Sequence, residues 1–257
     1  MLPLNDLLIN RFILLYIFRI ILYYMGEMIM SINAVKSLFL AVDIQNDFFP
    51  AYTSASGIHF SGGALAVPRA DEVVVPVNKL AAAFAASGGW VAATQDWHPE
   101  GHASFASSHP GKKTGETVDL EDSPGQILWP DHCVQGKPGS AFHDDFDLRP
   151  VNLIVRKGYR RGLDSYSAFF ENDRKTPTGL DGWIRGLGIE TIVIGGLATD
   201  YCVYYSAMDA IKLGYKTIVA DDTVRGVDYP PGLTPKAIAR MMAAGIIFTA
   251  TWEILED

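Results

Sequence analysis

Residues Thr191–Ala220, TIVIGGLATDYCVYYSAMDAIKLGYKTIVA, decide the fold. Thr191–Ile194 is short, β-branched and continuously apolar, which reads as a buried strand. Tyr201–Leu213 carries its apolar residues at helical spacing and stops at Gly214. Thr217–Ala220 is then a second apolar strand. Strand, helix and strand in one short stretch indicate a parallel sheet covered by helices.

The same alternation runs outward from this unit in both directions. Ser37–Val42 (SLFLAV), Trp90–Thr94 and Val151–Val155 read as further strands. Asp71–Ser87 is alanine-rich, helical in period and closed by Gly88–Gly89. Thr234–Ala244 reads as another helix and Ile246–Thr249 as a short last strand. The expected fold class is α/β, a three-layer doubly wound sheet, mostly parallel, with helices on both faces. Residues 98–149 interrupt the rhythm and are rich in Gly, Pro, His and Asp. A loop of that length in a compact domain is usually functional.

Composition narrows the function classes. The chain has 257 residues, 49% apolar and 19% charged, with a net charge of −8. That acidic balance argues against nucleic-acid binding, which requires a basic face. The two cysteines, Cys133 and Cys202, are too few for a disulfide framework. Free thiols point to a reducing compartment, and a cytoplasmic location is expected. The apolar run Phe12–Tyr24 is interrupted by Arg19 and falls short of a spanning helix, so no membrane association is expected. Met30 directly precedes SINAVKSLFLAVD, where a globular fold would begin. Residues 1–30 are therefore expected to be a non-native or disordered N-terminal extension, and 31–257 a single domain.

Parallel sheets place ligands at the carboxyl ends of their strands. Read there, Asp43 follows the first strand, Asp96 the second, Lys157 the third and Gly195–Cys202 the fourth. Each alone has an ordinary explanation: a turn cap, a solvated charge, a packed thiol. Their convergence on one sheet edge is what raises a catalytic reading. Cys202 is expected at a helix start, with Thr199 or Asp200 as N-cap, where backbone N–H groups favour thiolate and offer an oxyanion site. Gly195–Gly196 lacks the spacing of a dinucleotide-binding loop. A second constellation, Asp96, His98, His102 and His132, suits Zn²⁺, Fe²⁺ or Mn²⁺. Phe48, Trp97, Trp129, Tyr166 and Tyr201 surround these positions, either as core or as walls for a flat aromatic ligand.

Six motifs carry a resemblance: VDIQNDF (42–48), QDWHPEGHASF (95–105), WPDHCVQG (129–136), KG (157–158), DSYSAFF (164–170) and GLATDYCV (196–203). In this order and spacing they resemble nicotinamidases of the isochorismatase-like cysteine hydrolase superfamily, over roughly residues 36–253. The resemblance implies a catalytic triad of Asp43, Lys157 and Cys202. It implies an oxyanion site at the N–H groups of Ala198 and Cys202, with a cis peptide at Leu197–Ala198. Asp96, His98 and His132 would hold one divalent metal, zinc first and iron or manganese as alternatives. His102 falls where some members ligate metal and others only hydrogen-bond to bound water. Phe48 and Trp129 would flank a pyridine ring, with Tyr166 beside the pocket. The implied reaction is hydrolysis of nicotinamide, with pyrazinamide as an analogue and salvage of pyridine nucleotides as the context. The partners implied are small molecules, and homo-oligomerisation stays open. The rivals are amidohydrolases of carbamoyl or ureido compounds, which generally lack the metal set, and a non-catalytic module on the same fold.

Overall fold

Strand β1 (Ser37–Val42) is buried at every position. Phe39 and Ala41 enter one hydrophobic core, while Leu38, Leu40 and Val42 enter another. Successive side chains of a strand point to opposite faces, so this division means that both faces are covered. The computed structural model describes residues 32–255. The Phe12–Tyr24 run and the boundary at residue 30 lie outside the described residues.

The chain continues through a minimal hairpin, β2 (Tyr52–Thr53) and β3 (His59–Phe60), to helix α1 (Val74–Ala86) and strand β4 (Trp90–Asp96). Hairpin β5 (Thr117–Leu120) and β6 (Ser123–Ile127) precedes β7 (Leu153–Lys157) and α2 (Leu180–Gly186). Then come β8 (Thr191–Leu197), α3 (Tyr204–Lys212), β9 (Lys216–Arg225), α4 (Leu233–Ala243), β10 (Ile247–Thr249) and α5 (Thr251–Leu255).

Six strands form one sheet in the order β10-β9-β8-β1-β4-β7. Every neighbouring pair in it is parallel. Val77, Leu80 and Phe84 of α1 pack with Ile254 of α5 against the Phe39 face. Leu180 and Ile184 of α2, Ala207 and Ala210 of α3 and Met241 of α4 pack on the Leu40 face. Each large apolar side chain so buried contributes roughly 1.5–3 kcal/mol relative to exposure. The expected three layers are present, and among the described residues antiparallel pairing is confined to hairpins and isolated bridges outside the sheet.

The strand order positions the site. From β1 the chain winds out through β4 and β7, then returns to β8 on the other side of β1. The loops after β1 and β8 therefore part in opposite directions and leave a crevice at the carboxyl edge. Asp43 follows β1 and Cys202 follows β8, so the topology alone brings them together.

Several boundaries differ from those expected. The third strand begins at Leu153 rather than Val151, because Asn152 exchanges hydrogen bonds with Val91 through both its backbone N–H and its side-chain oxygen. β9 runs to Arg225, past a register shift opposite Ile194–Gly196. A Cβ on Gly195 would stand 2.4 Å from Thr223 Oγ1, and one on Gly196 (φ +117°) would stand 2.0 Å from Val42 O. This glycine pair lets three strands close up at the crevice. Helix α2 and the β5–β6 hairpin were not expected: α2 contains Gly182 and Gly186, and Pro124–Gly125 reads as a loop.

Candidate active site

Lys157 ends β7 and is completely buried. An ammonium taken out of water must be paired, and four groups surround its Nζ. Asp43 Oδ2 lies at 2.9 Å, Asp96 Oδ1 at 2.5 Å, the Ser165 carbonyl oxygen at 3.0 Å and Cys202 Sγ at 3.4 Å. Burial pulls the lysine pKa down, but Asp43, Asp96 and Cys202 outweigh it and hold the ammonium form firmly.

Asp43 takes a left-handed backbone (φ 49°) where β1 ends, a conformation Asp tolerates better than most residues. Its Oδ1 accepts a 2.6 Å hydrogen bond from Thr94 Oγ1. Oδ2 faces the Lys157 ammonium at 2.9 Å. Burial, opposed by Lys157 and reinforced by Asp96, raises Asp43 to about 6. The ligating atoms of Asp43, Asp96 and Cys202 all lie within 4.8 Å of one another. The carboxylate thus lies within reach of the thiol.

Cys202 sits in a wide π-turn over Thr199–Val203, ahead of α3, which starts at Tyr204. Such turns recur at functional sites. Burial pushes its thiol well above the ordinary value; Lys157 pulls it down, but Asp43 and Asp96 push it up again. Cys202 lies at a helix start as expected, but burial opposes the thiolate which that position was expected to favour. Neither Thr199 nor Asp200 caps the turn with its side chain. Asp200 instead accepts from the N–H groups of Val227 and Asp228 and from Thr234 Oγ1, tying down the loop after β9. The Leu197–Ala198 peptide is cis.

On the far side of Lys157, Asp96 turns its second oxygen toward His98 Nε2 at 3.7 Å. Asp96, His98 and His132 bring one ligand atom each within 4.8 Å, all three residues buried. His98 Nδ1 lies 2.9 Å from Gly158 O, and His132 Nδ1 lies 2.8 Å from Pro130 O. Imidazoles that donate Nδ1–H to a carbonyl keep Nε2 free for a metal. Gly158 is required for this contact, since a Cβ there would fall 2.5 Å from His98 Cε1. His132 is lowered to about 4, by burial and then by His98, so it is neutral near pH 7 as a ligand must be. Two buried imidazoles and a carboxylate fit a divalent transition metal.

His102 stands apart from that set. It lies beside His98, ring centroids 4.5 Å apart, and groups instead with His98 and Asp164. Its Nδ1 accepts the Ser104 N–H at 3.2 Å and its Nε2 faces Leu163 O at 3.3 Å. The Asp164 carboxylate accepts from Ser165 N–H and Gln126 Nε2. These donors are already engaged by protein.

The aromatic residues divide between the two halves. Phe48 meets His132 edge to face at 5.7 Å, and Trp129 meets Tyr201, the neighbour of Cys202, at 4.9 Å. Tyr166 takes the Trp129 Nε1–H at 3.0 Å and the Gln126 Nε2–H at 2.9 Å on its hydroxyl. It borders a groove of about 170 Å³ with Gln126, Asn172, Arg174, Tyr201 and Tyr205. Trp97 lies outside this group, under the Arg156 guanidinium at 3.9 Å.

Three contributors escape the sequence reading: Thr94, the Ser165 carbonyl and Asp47, whose carboxylate accepts the Cys133 N–H at 2.6 Å and so fixes the backbone beside His132. Only Thr94 carried a signal, being two positions before Asp96 and hence on the same strand face.

Comparisons with known proteins place the chain in a family. The isochorismatase domain family matches residues 37–253. A nicotinamidase of Acinetobacter baylyi is 42% identical over 207 residues, covering 80% of this chain and 89% of that protein. Among solved structures, an Acinetobacter baumanii nicotinamidase/pyrazinamidase superposes with a TM-score of 0.77 at 41% identity, covering 86% of this chain and 98% of the other. A Pyrococcus horikoshii pyrazinamidase in complex with zinc gives 0.65 at 31%, covering 84% and 99%.

Proposed function

We propose that this chain, which belongs to the isochorismatase family, hydrolyses nicotinamide to nicotinate and ammonia through a thioester on Cys202. The observation that carries the reading is the buried Asp43–Lys157–Cys202 cluster, with Lys157 Nζ 2.9 Å from the carboxylate and 3.4 Å from the sulfur. It stands beside a carboxylate and two imidazoles suited to a metal. The 42% identity to a nicotinamidase supports the choice of amide.

In this mechanism Asp43 Oδ2 takes the Cys202 proton, and Lys157 holds both groups while offsetting the charge that builds up. The sulfur attacks the carboxamide carbon, and the backbone N–H groups of Ala198 and Cys202 receive the oxyanion. Asp43 returns the proton to the departing nitrogen, so the C–N bond breaks and ammonia leaves. Water, deprotonated by Asp43, then cleaves the thioester to nicotinate and restores the thiol. Phe48 and Trp129 flank the ring, with Tyr166 fixing the Trp129 indole. Asp96, His98 and His132 would hold the divalent ion, zinc first by donor type, and the chemistry it supplies is an electrophilic anchor for a ring nitrogen. His102 steadies His98 from outside the ligand set. Pyrazinamide, which has the same carboxamide on a diazine ring, is a second substrate under this reading. A cytoplasmic setting accords with two free, buried thiols. Among the described residues no helix is long and apolar enough to cross a membrane.

The test is ammonia and nicotinate release by the metal-loaded full chain, alongside Cys202→Ala. Equal molar release, lost at least about 10⁴-fold in the variant, is the expected result. A metal-loaded wild type that releases neither product rules the reading out and leaves the carbamoyl amides as candidates.

A further inference from the structure

We infer that Thr94 is the positioning residue of the catalytic carboxylate, holding Asp43 so that only Oδ2 faces the nucleophile. The inference rests on the reading of Asp43 as the base. Thr94 lies on β4, just beyond the Ala41–Ala93 pair that aligns β4 with β1, and its side chain is completely buried beside Asp43. Two hydrogen bonds join the same two residues. The Asp43 N–H donates to Thr94 Oγ1 at 3.1 Å, and Thr94 Oγ1 donates to Asp43 Oδ1 at 2.6 Å.

The chemistry of the hydroxyl fixes the direction of this exchange. A threonine hydroxyl has one proton and two lone pairs. The backbone N–H can only donate, so the hydroxyl must accept there and spend its proton on the carboxylate. Oδ1 is thereby occupied, and the carboxylate plane is locked to a backbone that is itself in a left-handed turn (φ 49°). Oδ2 is left facing Lys157 Nζ at 2.9 Å. Without the hydroxyl, Asp43 loses its clamp at both ends, and a misplaced base within a fixed site is costly for turnover.

A space-filling role for Thr94 makes the opposite forecast, since valine has the same branched shape. The full chain is therefore assayed on nicotinamide as wild type, Thr94→Val and Thr94→Ser. With valine, kcat and kcat/KM should fall together by on the order of 10- to 100-fold while KM stays within about twofold. Serine, which keeps the hydroxyl and drops the methyl, should stay within about threefold of wild type. Valine at wild-type kcat, or serine as impaired as valine, overturns the inference. If the valine protein does not fold, Thr94→Ser against Thr94→Ala makes the same comparison, because that pair differs only by the hydroxyl; equal kcat in the two overturns it. A wild type inactive on nicotinamide refutes the proposed function, whereas an active wild type matched by Thr94→Val refutes the role of Thr94 alone.

Discussion

A fully buried lysine between two carboxylates sets the electrostatics of this protein, and its removal isolates what it holds. Lys157→Met leaves Asp43 and Asp96 facing each other without a cation. Breaking a buried pair from one side costs about 3–5 kcal/mol, so urea unfolding should lose that much. Adding Asp43→Asn to the methionine variant should recover part of the loss, because it removes one uncompensated charge; no recovery would mean the destabilisation comes from packing. Asp43 also sets a pH dependence. Burial raises it to about 6, so kcat/KM should fall about tenfold per pH unit below about 6, as the base becomes protonated. The sign for stability is also determined. A carboxyl whose folded pKa lies above the ordinary 3.8 favours the fold at low pH, and that contribution is lost as pH rises from about 4 through about 6. An acid limb near pH 4 instead would show that Lys157 dominates burial. At this scale the sequence was readable where a residue's type and strand position coincide, as at Asp43, Asp96, Lys157 and Cys202. It was not readable for the Ser165 carbonyl, since any residue has one, or for Cys202's protonation, which depends on how deeply the fold buries it.

At the scale of elements, the loop after β9 is held by two adjacent side chains. Asp200 accepts from Val227 N–H, Asp228 N–H and Thr234 Oγ1, and its neighbour Tyr201 donates its hydroxyl to Tyr229 O at 2.5 Å. Asp200→Ala should therefore speed hydrogen exchange at Val227 and Asp228 while leaving the β8 amides protected. Unchanged exchange at those two amides would show that Tyr201 suffices. The sequence offers Thr199 or Asp200 as a helix cap, a role that either residue type permits. The long-range partners that claim Asp200 are 27–34 positions away, beyond what local pattern encodes. The strands were legible for the converse reason: continuous apolar runs such as Ser37–Val42 need only local reading. Helix α2, short and carrying two glycines, has little local signal and is held by Leu180 and Ile184 against the sheet.

For the whole molecule, the doubly wound order explains why residues so distant in sequence share one buried cluster. The switch at β1 brings the Asp43 and Cys202 loops together, and β4 and β7 deliver Asp96 and Lys157 beside them. Asp96 belongs to both halves, one oxygen on Lys157 and the other toward His98. The proposed metal ligands and the proposed triad therefore meet at Asp96, the end of β4. A ligand that binds only the folded state stabilises it by mass action, about 4 kcal/mol at a thousandfold excess over Kd. Chelation should accordingly lower the melting temperature of the wild type by several degrees, and should have little effect on His132→Ala. An equal shift in both would place the metal elsewhere.

The central claim is that Cys202 carries the acyl group, and rapid quenching of the enzyme with nicotinamide, followed by mass analysis of its peptides, tests it most directly. The account predicts one nicotinoyl group on the peptide containing Cys202, formed within the first turnover and absent in Cys202→Ala. Turnover with the nicotinoyl group on another residue, or undiminished turnover by Cys202→Ala, would contradict it.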